Sequence, residues 1–159
     1  MKITFILTGS LKKSLLKEGF YEYIKRLKRY CGVEVIEIKD SPMGRKADGR
    51  CKGLREEARR INKRLDAKGA FRIALTEARG AQAFTSGGFA GFMEERLALG
   101  RDLVFIIGGA YGLDKSIVKD ADMRLSLSPM TLPHEMAALV LAEQVYRAFT
   151  ISRGEPYSH

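Results

Sequence analysis

The chain has 159 residues, 45% of them apolar and 30% charged, a balance that fits a globular protein and excludes disordered and fibrous classes. At this length one core buries roughly 70% of the unfolded surface, so neither disulfides nor a structural metal is needed to hold a fold. Charge is the unusual term: 28 Lys+Arg stand against 19 Asp+Glu, a formal net of +9.

Residues 1–70 carry 19 of those cations against 9 acids, and residues 71–159 carry 9 against 10. Such a field favours a polyanionic partner, nucleic acid ahead of a membrane surface. Cys31, Cys51, His134 and His159 match no Cys/His zinc spacing, so no metal is expected, and the cysteines read as reduced thiols of a cytoplasmic protein. The apolar run Ile3–Leu7 is too short for a signal-peptide core, and no stretch approaches the roughly 18 apolar residues of a membrane span.

Residues 2–8 read as a short apolar strand. Leu11, Leu15, Leu16, Phe20, Tyr23, Ile24 and Leu27 then recur at helical spacing, with Lys12, Lys13, Lys17, Lys25, Lys28 and Arg29 on the other face. Val33–Ile38 is a second, β-branched strand. A Gly/Pro/Lys-rich loop over 40–50, carrying Arg45 and Lys46, precedes a second amphipathic helix. That helix turns Leu54, Ala58, Ile61 and Leu65 inward, and Arg55, Arg59, Arg60, Lys63 and Arg64 outward.

Arg72–Leu75 is a third strand, and Ser86 is placed to cap a helix running to Leu99. Asp102–Ile107 is a near-continuous apolar run of the kind buried on both faces. Asp114 caps a short helix, Met123–Leu127 is a fifth strand, and the last helix spans roughly Pro133–Phe149. No linker or repeat divides the chain, so one α/β domain over 1–159 with a mostly parallel sheet is expected. A helix as apolar as Ala137–Ala142 must either sit centrally or form a subunit interface, and a dimer is favoured.

Three stretches bear on chemistry. Ile106-Ile107-Gly108-Gly109-Ala110-Tyr111-Gly112-Leu113-Asp114 follows a buried strand, which places its glycines where α/β sheets bind ligands. Its Gly spacing departs from the dinucleotide fingerprint, and Asp114 before Lys115-Ser116 departs from a phosphate loop, so a tight turn and a ligand loop both stay open. Leu125–His134 holds Pro129 and Pro133 around Met130-Thr131-Leu132. The prolines fix a backbone whose polar groups can meet a ligand's edge between apolar side chains. The tail, with Arg147, Tyr157 and His159, offers a phosphate contact, a stacking surface and a proton acceptor.

Together, Phe105–Leu113, Leu125–His134, Glu143–Ala148 and Pro156-Tyr157 resemble the 23S ribosomal RNA pseudouridine N3-methyltransferases, a family of the trefoil-knotted SPOUT class. The resemblance covers nearly the whole chain. It implies an α/β fold with a C-terminal knot, a homodimer, S-adenosylmethionine as methyl donor, and ribosomal RNA on the ribosome as substrate. It also implies a donor site at Leu75, Gly108, Leu127, Ser128, Pro129, Met130, Thr131 and Leu132, with Arg147, Tyr157 and His159 near the reacting base. His134, near the start of the last helix, is on its own chemistry a further candidate base. One departure is Ser158, which separates Tyr157 from His159 where the family commonly ends Pro-Tyr-His. A non-catalytic RNA-binding module is the competing reading.

Overall fold

The computed structural model describes residues 2–12, 15–44, 46–65, 69–77 and 79–157. Lys13, Arg45, Ser158 and His159 lie outside them. Five strands, β1 (Lys2–Thr8), β2 (Gly32–Ile38), β3 (Phe71–Leu75), β4 (Leu103–Ile107) and β5 (Met123–Leu125), form one sheet in the order β2-β1-β4-β3-β5. Every pairing is parallel. Between them run α1 (Leu15–Leu27), α2 (Ala47–Asn62), α3 (Ser86–Ala98) and α4 (Lys115–Asp120), and α5 (His134–Ser152) follows.

The central strands β1 and β4 are buried on both sides because both faces of the sheet are covered. Ile3, Phe5, Leu7, Leu103, Phe105 and Ile107 point into one core with α1, α3 and α5, whereas Ile6, Val104 and Ile106 point into a second with Ile61 of α2 and Ile117 of α4. Phe5 stacks on Phe105 at 5.6 Å between ring centres and meets the edge of Phe20 from α1. The alternation thus sends successive residues of one strand to different helix layers.

The connection leaving β3 gives the fold its character. β5 pairs with β3 along one edge. Along the other, Gln82 donates its N–H to the Arg124 carbonyl at 2.8 Å and accepts from the Ser126 N–H at 2.9 Å. Gln82 belongs to the 76–85 connection, so that connection wraps around β5 before it reaches α3. The chain continuing from β5 into α5 has therefore passed through the loop joining β3 to α3, and α5 packs back on α1 and α3. This threading is the knotted topology that the resemblance implies.

Three local expectations are corrected. α2 begins at Ala47, inside the stretch expected to be loop, because the backbone of Gly44 packs on that of Gly49. A Cβ on Gly49 would stand 2.8 Å from the Gly44 Cα, so glycine here permits close packing and does not mark a turn. Thr85, and not Ser86, caps α3, its hydroxyl accepting from the Gly88 N–H at 3.1 Å. Leu15, expected on the inward stripe of α1, is 84% exposed at the helix start, and Leu11 fills the core in its place.

α5 is central: Ala138, Leu141, Ala142, Val145 and Ala148 are buried, and α5 packs on both α1 and α3, the three alanines letting the helices approach closely. No helix among the described residues is long and apolar enough to cross a membrane.

Candidate functional site

A cavity of about 390 Å³ opens at the carboxyl ends of β3, β4 and β5, within the range typical of small-molecule sites. Three connections build it: 76–85 after β3, the glycine turn after β4, and 126–133 after β5. Of the residues expected at a donor site, Leu75, Gly108, Leu127, Ser128, Met130, Thr131 and Leu132 line it, together with His134 at the start of α5. Pro129 stands outside the lining, an exposed support of the loop.

The glycine turn is set by backbone contact. The Gly112 N–H donates to the Gly109 carbonyl at 3.0 Å, and Gly112 holds φ +75°, a conformation disfavoured with any Cβ. A Cβ on Gly108 would lie 2.4 Å from the Gly112 carbonyl carbon, so both positions require glycine for the turn to fold back on itself. Beyond it, Asp114 caps α4 by accepting from the amide and hydroxyl of Ser116 at 2.9 and 2.6 Å. Burial pushes the Asp114 carboxyl up, but those bonds, with Arg55 and Lys115 nearby, more than offset it and hold it below its ordinary value.

The 126–133 loop is fastened by its own hydroxyls. Ser126 Oγ donates to the Ser128 carbonyl at 3.0 Å, and Ser128 Oγ accepts from the Met130 N–H at 2.9 Å. Thr131 Oγ1 donates to Glu77 Oε2 at 2.9 Å, which ties this loop to the one that wraps β5.

The lining suits S-adenosylmethionine. Leu75, Ile107, Leu125 and Leu127 offer apolar walls for a flat ring and a thioether chain, while Thr76, Ser128 and Thr131 bring hydroxyls. Glu77 is the only carboxylate on the described lining, as a ligand bearing a sulfonium and an ammonium calls for. The motif reading passed over Thr76 and Glu77, and named Tyr111 only as part of the glycine stretch. Their position just past a strand's carboxyl end was the available signal.

Arg147 and Tyr157 gather elsewhere, and His159 lies outside the described residues. Arg147 Nε and Nη2 donate to Glu143 Oε1 at 2.9 and 2.6 Å. The Tyr157 hydroxyl donates to the same oxygen at 3.3 Å and shares a 2.9 Å hydrogen bond with Tyr23 of α1. Tyr146 meets the Tyr157 ring edge-on at 4.8 Å, and Arg26 and Arg147 lie over the rings of Tyr23 and Tyr157. Burial, then hydrogen bonding to Tyr23, drives the Tyr157 phenol well above its ordinary value, so it is neutral. The glutamate holds the Arg147 guanidinium more firmly protonated.

Tyr30 donates to Glu155 Oε2 at 2.5 Å and Arg153 lies over its ring at 4.6 Å, which pins the tail after α5. His134 and Arg147 are thirteen positions apart on α5, about 20 Å at 1.5 Å per residue. Within one chain the cavity thus lies at the start of α5, and the Arg147–Tyr157 cluster along its second half.

A parallel sheet whose last strand is threaded through a preceding connection, with a cavity in that crossing, defines a knotted methyltransferase. The chain belongs to the SPOUT methyltransferase family: the model described as "Predicted SPOUT methyltransferase" matches residues 1–159. It is 42% identical over 160 residues to the ribosomal RNA large subunit methyltransferase H of Ruminiclostridium cellulolyticum, covering 99% of each chain. It is also 42% identical, with the same coverage, to the protein of that name from Streptococcus equi subsp. zooepidemicus. In fold it is similar to a probable methylase family protein from Haemophilus influenzae, with a TM-score of 0.57 at 13% identity, over 99% of this chain and 70% of that one. A probable rRNA-methyltransferase from Porphyromonas gingivalis gives 0.55 at 17%, over 96% and 69%. Membership of an enzyme family sets aside the reading as a non-catalytic binding module.

Proposed function

We propose that the protein is a cytoplasmic, S-adenosylmethionine-dependent methyltransferase that modifies N3 of a pseudouridine in 23S ribosomal RNA on the assembled ribosome. It acts as a single-domain homodimer. The observation that carries this reading is the threaded cavity, whose lining coincides with the donor site implied for this family at all but one position. The full-length relatives named for large-subunit ribosomal RNA support the substrate class.

The donor supplies a methyl group already activated by its sulfonium. The protein's work is therefore orientation, exclusion of water and handling of the N3 proton. Leu75, Gly108 and the 127–132 loop hold the donor, and Glu77 answers its positive charge. Arg147 stabilises the anion that develops on N3 and its neighbouring carbonyl oxygen, with Tyr157 and His159 beside the base and His134 at the cavity rim.

Because α5 holds the two groups about 20 Å apart in one chain, the complete site takes the cavity of one subunit and the tail of its partner. Calorimetry with S-adenosylmethionine and transfer of labelled methyl to ribosomal particles lacking the modification test this. Wild type binds the donor and transfers the methyl group, and R147A binds the donor but does not transfer. Loss of donor affinity in R147A refutes its assignment.

A further inference from the structure

We infer that Glu143 accepts the proton leaving N3 of the target base, relayed through the hydroxyl of Tyr157. This rests on the reading above, in which the tail reaches the base, and it adds the base that the reading leaves open. Glu143 is mostly shielded on α5, its side chain 18% exposed. It is the hub of the cluster: Oε1 takes Arg147 Nε and Nη2 as well as the Tyr157 hydroxyl, and Oε2 takes Gln144 Nε2 at 2.6 Å.

The charged and titratable groups around it are Arg147 and Tyr146 on its own helix, Tyr23 and Arg26 from α1, and Tyr157 and Glu155 from the tail. Ser86 of α3 reaches only Gln144. A neutral phenol is a weak base by itself. A phenol already donating to a carboxylate can take a proton on its oxygen while passing on its own.

The step balances. The N3–H bond breaks and leaves its electron pair on N3, and an O–H bond forms on Tyr157. The original Tyr157 O–H bond breaks, and an O–H bond forms on Glu143. One negative charge has then moved from Glu143 to the base. Arg147, which had been neutralised by Glu143, becomes free to stabilise the new anion. Arg147 thus pairs with the carboxylate before transfer and with the base after it, so the cluster keeps one anion beside one cation throughout.

The test is single-turnover methyl transfer to ribosomal particles lacking the methyl group, from pH 6 to 10, alongside particle binding and thermal melting. E143Q keeps the size and an acceptor for Arg147 but cannot take a proton. It is expected to slow transfer about 100-fold or more, with particle binding within about threefold of wild type. Its residual rate should rise tenfold per pH unit as hydroxide replaces the lost base, over a range where the wild-type rate has levelled. Y157F, which removes only the hydroxyl, should show the same loss and slope, and the double variant should be no slower than either.

E143Q within threefold of the wild-type rate overturns the relay, as does a reduced rate with the wild-type pH profile, which marks a purely positioning role. If E143Q does not fold, Y157F decides by the same criteria. A wild type that binds no donor and transfers no methyl group refutes the underlying function, and the relay with it.

Discussion

Gly108 is the most exacting position in the cavity, and replacing it with alanine separates the donor site from the rest of the protein. A Cβ there would lie 2.4 Å from the Gly112 carbonyl carbon, 2.5 Å from its oxygen and 2.8 Å from its Cα, all backbone atoms that no rotamer change can move. Restoring an ordinary contact of 3.4 Å requires the turn to shift by about 1 Å. The turn cannot absorb this locally, because Gly112 is held at φ +75° and bonded to Gly109 at 3.0 Å.

Overpacking of this kind costs about 1–3 kcal/mol, and at this chain length 1 kcal/mol lowers Tm by roughly 2–4 °C. G108A is therefore expected to melt roughly 2–12 °C lower while remaining folded. Its affinity for S-adenosylmethionine should fall at least tenfold by calorimetry, since a 1 Å displacement misplaces the wall that orients the ligand. Binding to ribosomal particles should change by less than threefold. Donor affinity within twofold of wild type, at an unchanged Tm, would refute the reasoning.

Glu57 gives a pH prediction. The residue is 4% exposed and its carboxylate accepts the Ser41 N–H at 2.8 Å. Burial raises its pKa, the Ser41 amide opposing and Asp40 adding to the shift. An acid raised on folding costs stability above its folded value, and the cost vanishes below its ordinary value, where both states are protonated. E57Q should thus melt higher than wild type at pH 8, with the gap closing by pH 4; a lower Tm at pH 8 contradicts this. For the composite site, mixing R147A with G108A subunits in equal amounts should restore about a quarter of wild-type transfer, because half the dimers carry one intact cavity–tail pair. No restoration would mean that each site is built from one chain.

The order of elements could be read from the sequence because it is a local property. Ile3-Thr4-Phe5-Ile6-Leu7 and Leu103–Ile107 are short, nearly continuous apolar runs of strand length, and α1 and α2 show clear stripes. Asp114 declared its cap by composition alone. What composition hid was close backbone contact: Gly44 against Gly49 turns a loop-like stretch into the first turn of α2. The threading of β5 rests on two backbone hydrogen bonds to Gln82, and backbone groups leave no residue signature. Glu143 was visible only as part of a motif. That it grips both Arg147 and Tyr157 depends on α1 bringing Tyr23 against the tail, a contact 134 residues apart in sequence.

The concentration of charge in the first 70 residues takes a different meaning once the sheet is placed between its two basic helices. α1 lies on the face with α3 and α5, and α2 on the other with α4, so their cations cannot form one platform on a single chain. The two helices also run the same way relative to the parallel strands, starting at the carboxyl edge where the cavity opens. Among the cations of α2, Arg50 lies 5.9 Å over the ring of Tyr111 on the cavity lining, and Arg55 acts on the Asp114 carboxyl beside the glycine turn. On α1 the contact is with the tail cluster instead, through Arg26 over Tyr23 and Tyr146. Each basic helix therefore borders a different half of the proposed site, α2 the donor cavity and α1 the Arg147–Tyr157 cluster. In the proposed dimer, joining one subunit's cavity to the other's tail would bring the α2 side of the first toward the α1 side of the second. The positive charge divided between the two faces of one chain would then flank the assembled site from both sides, where a phosphate backbone would lie.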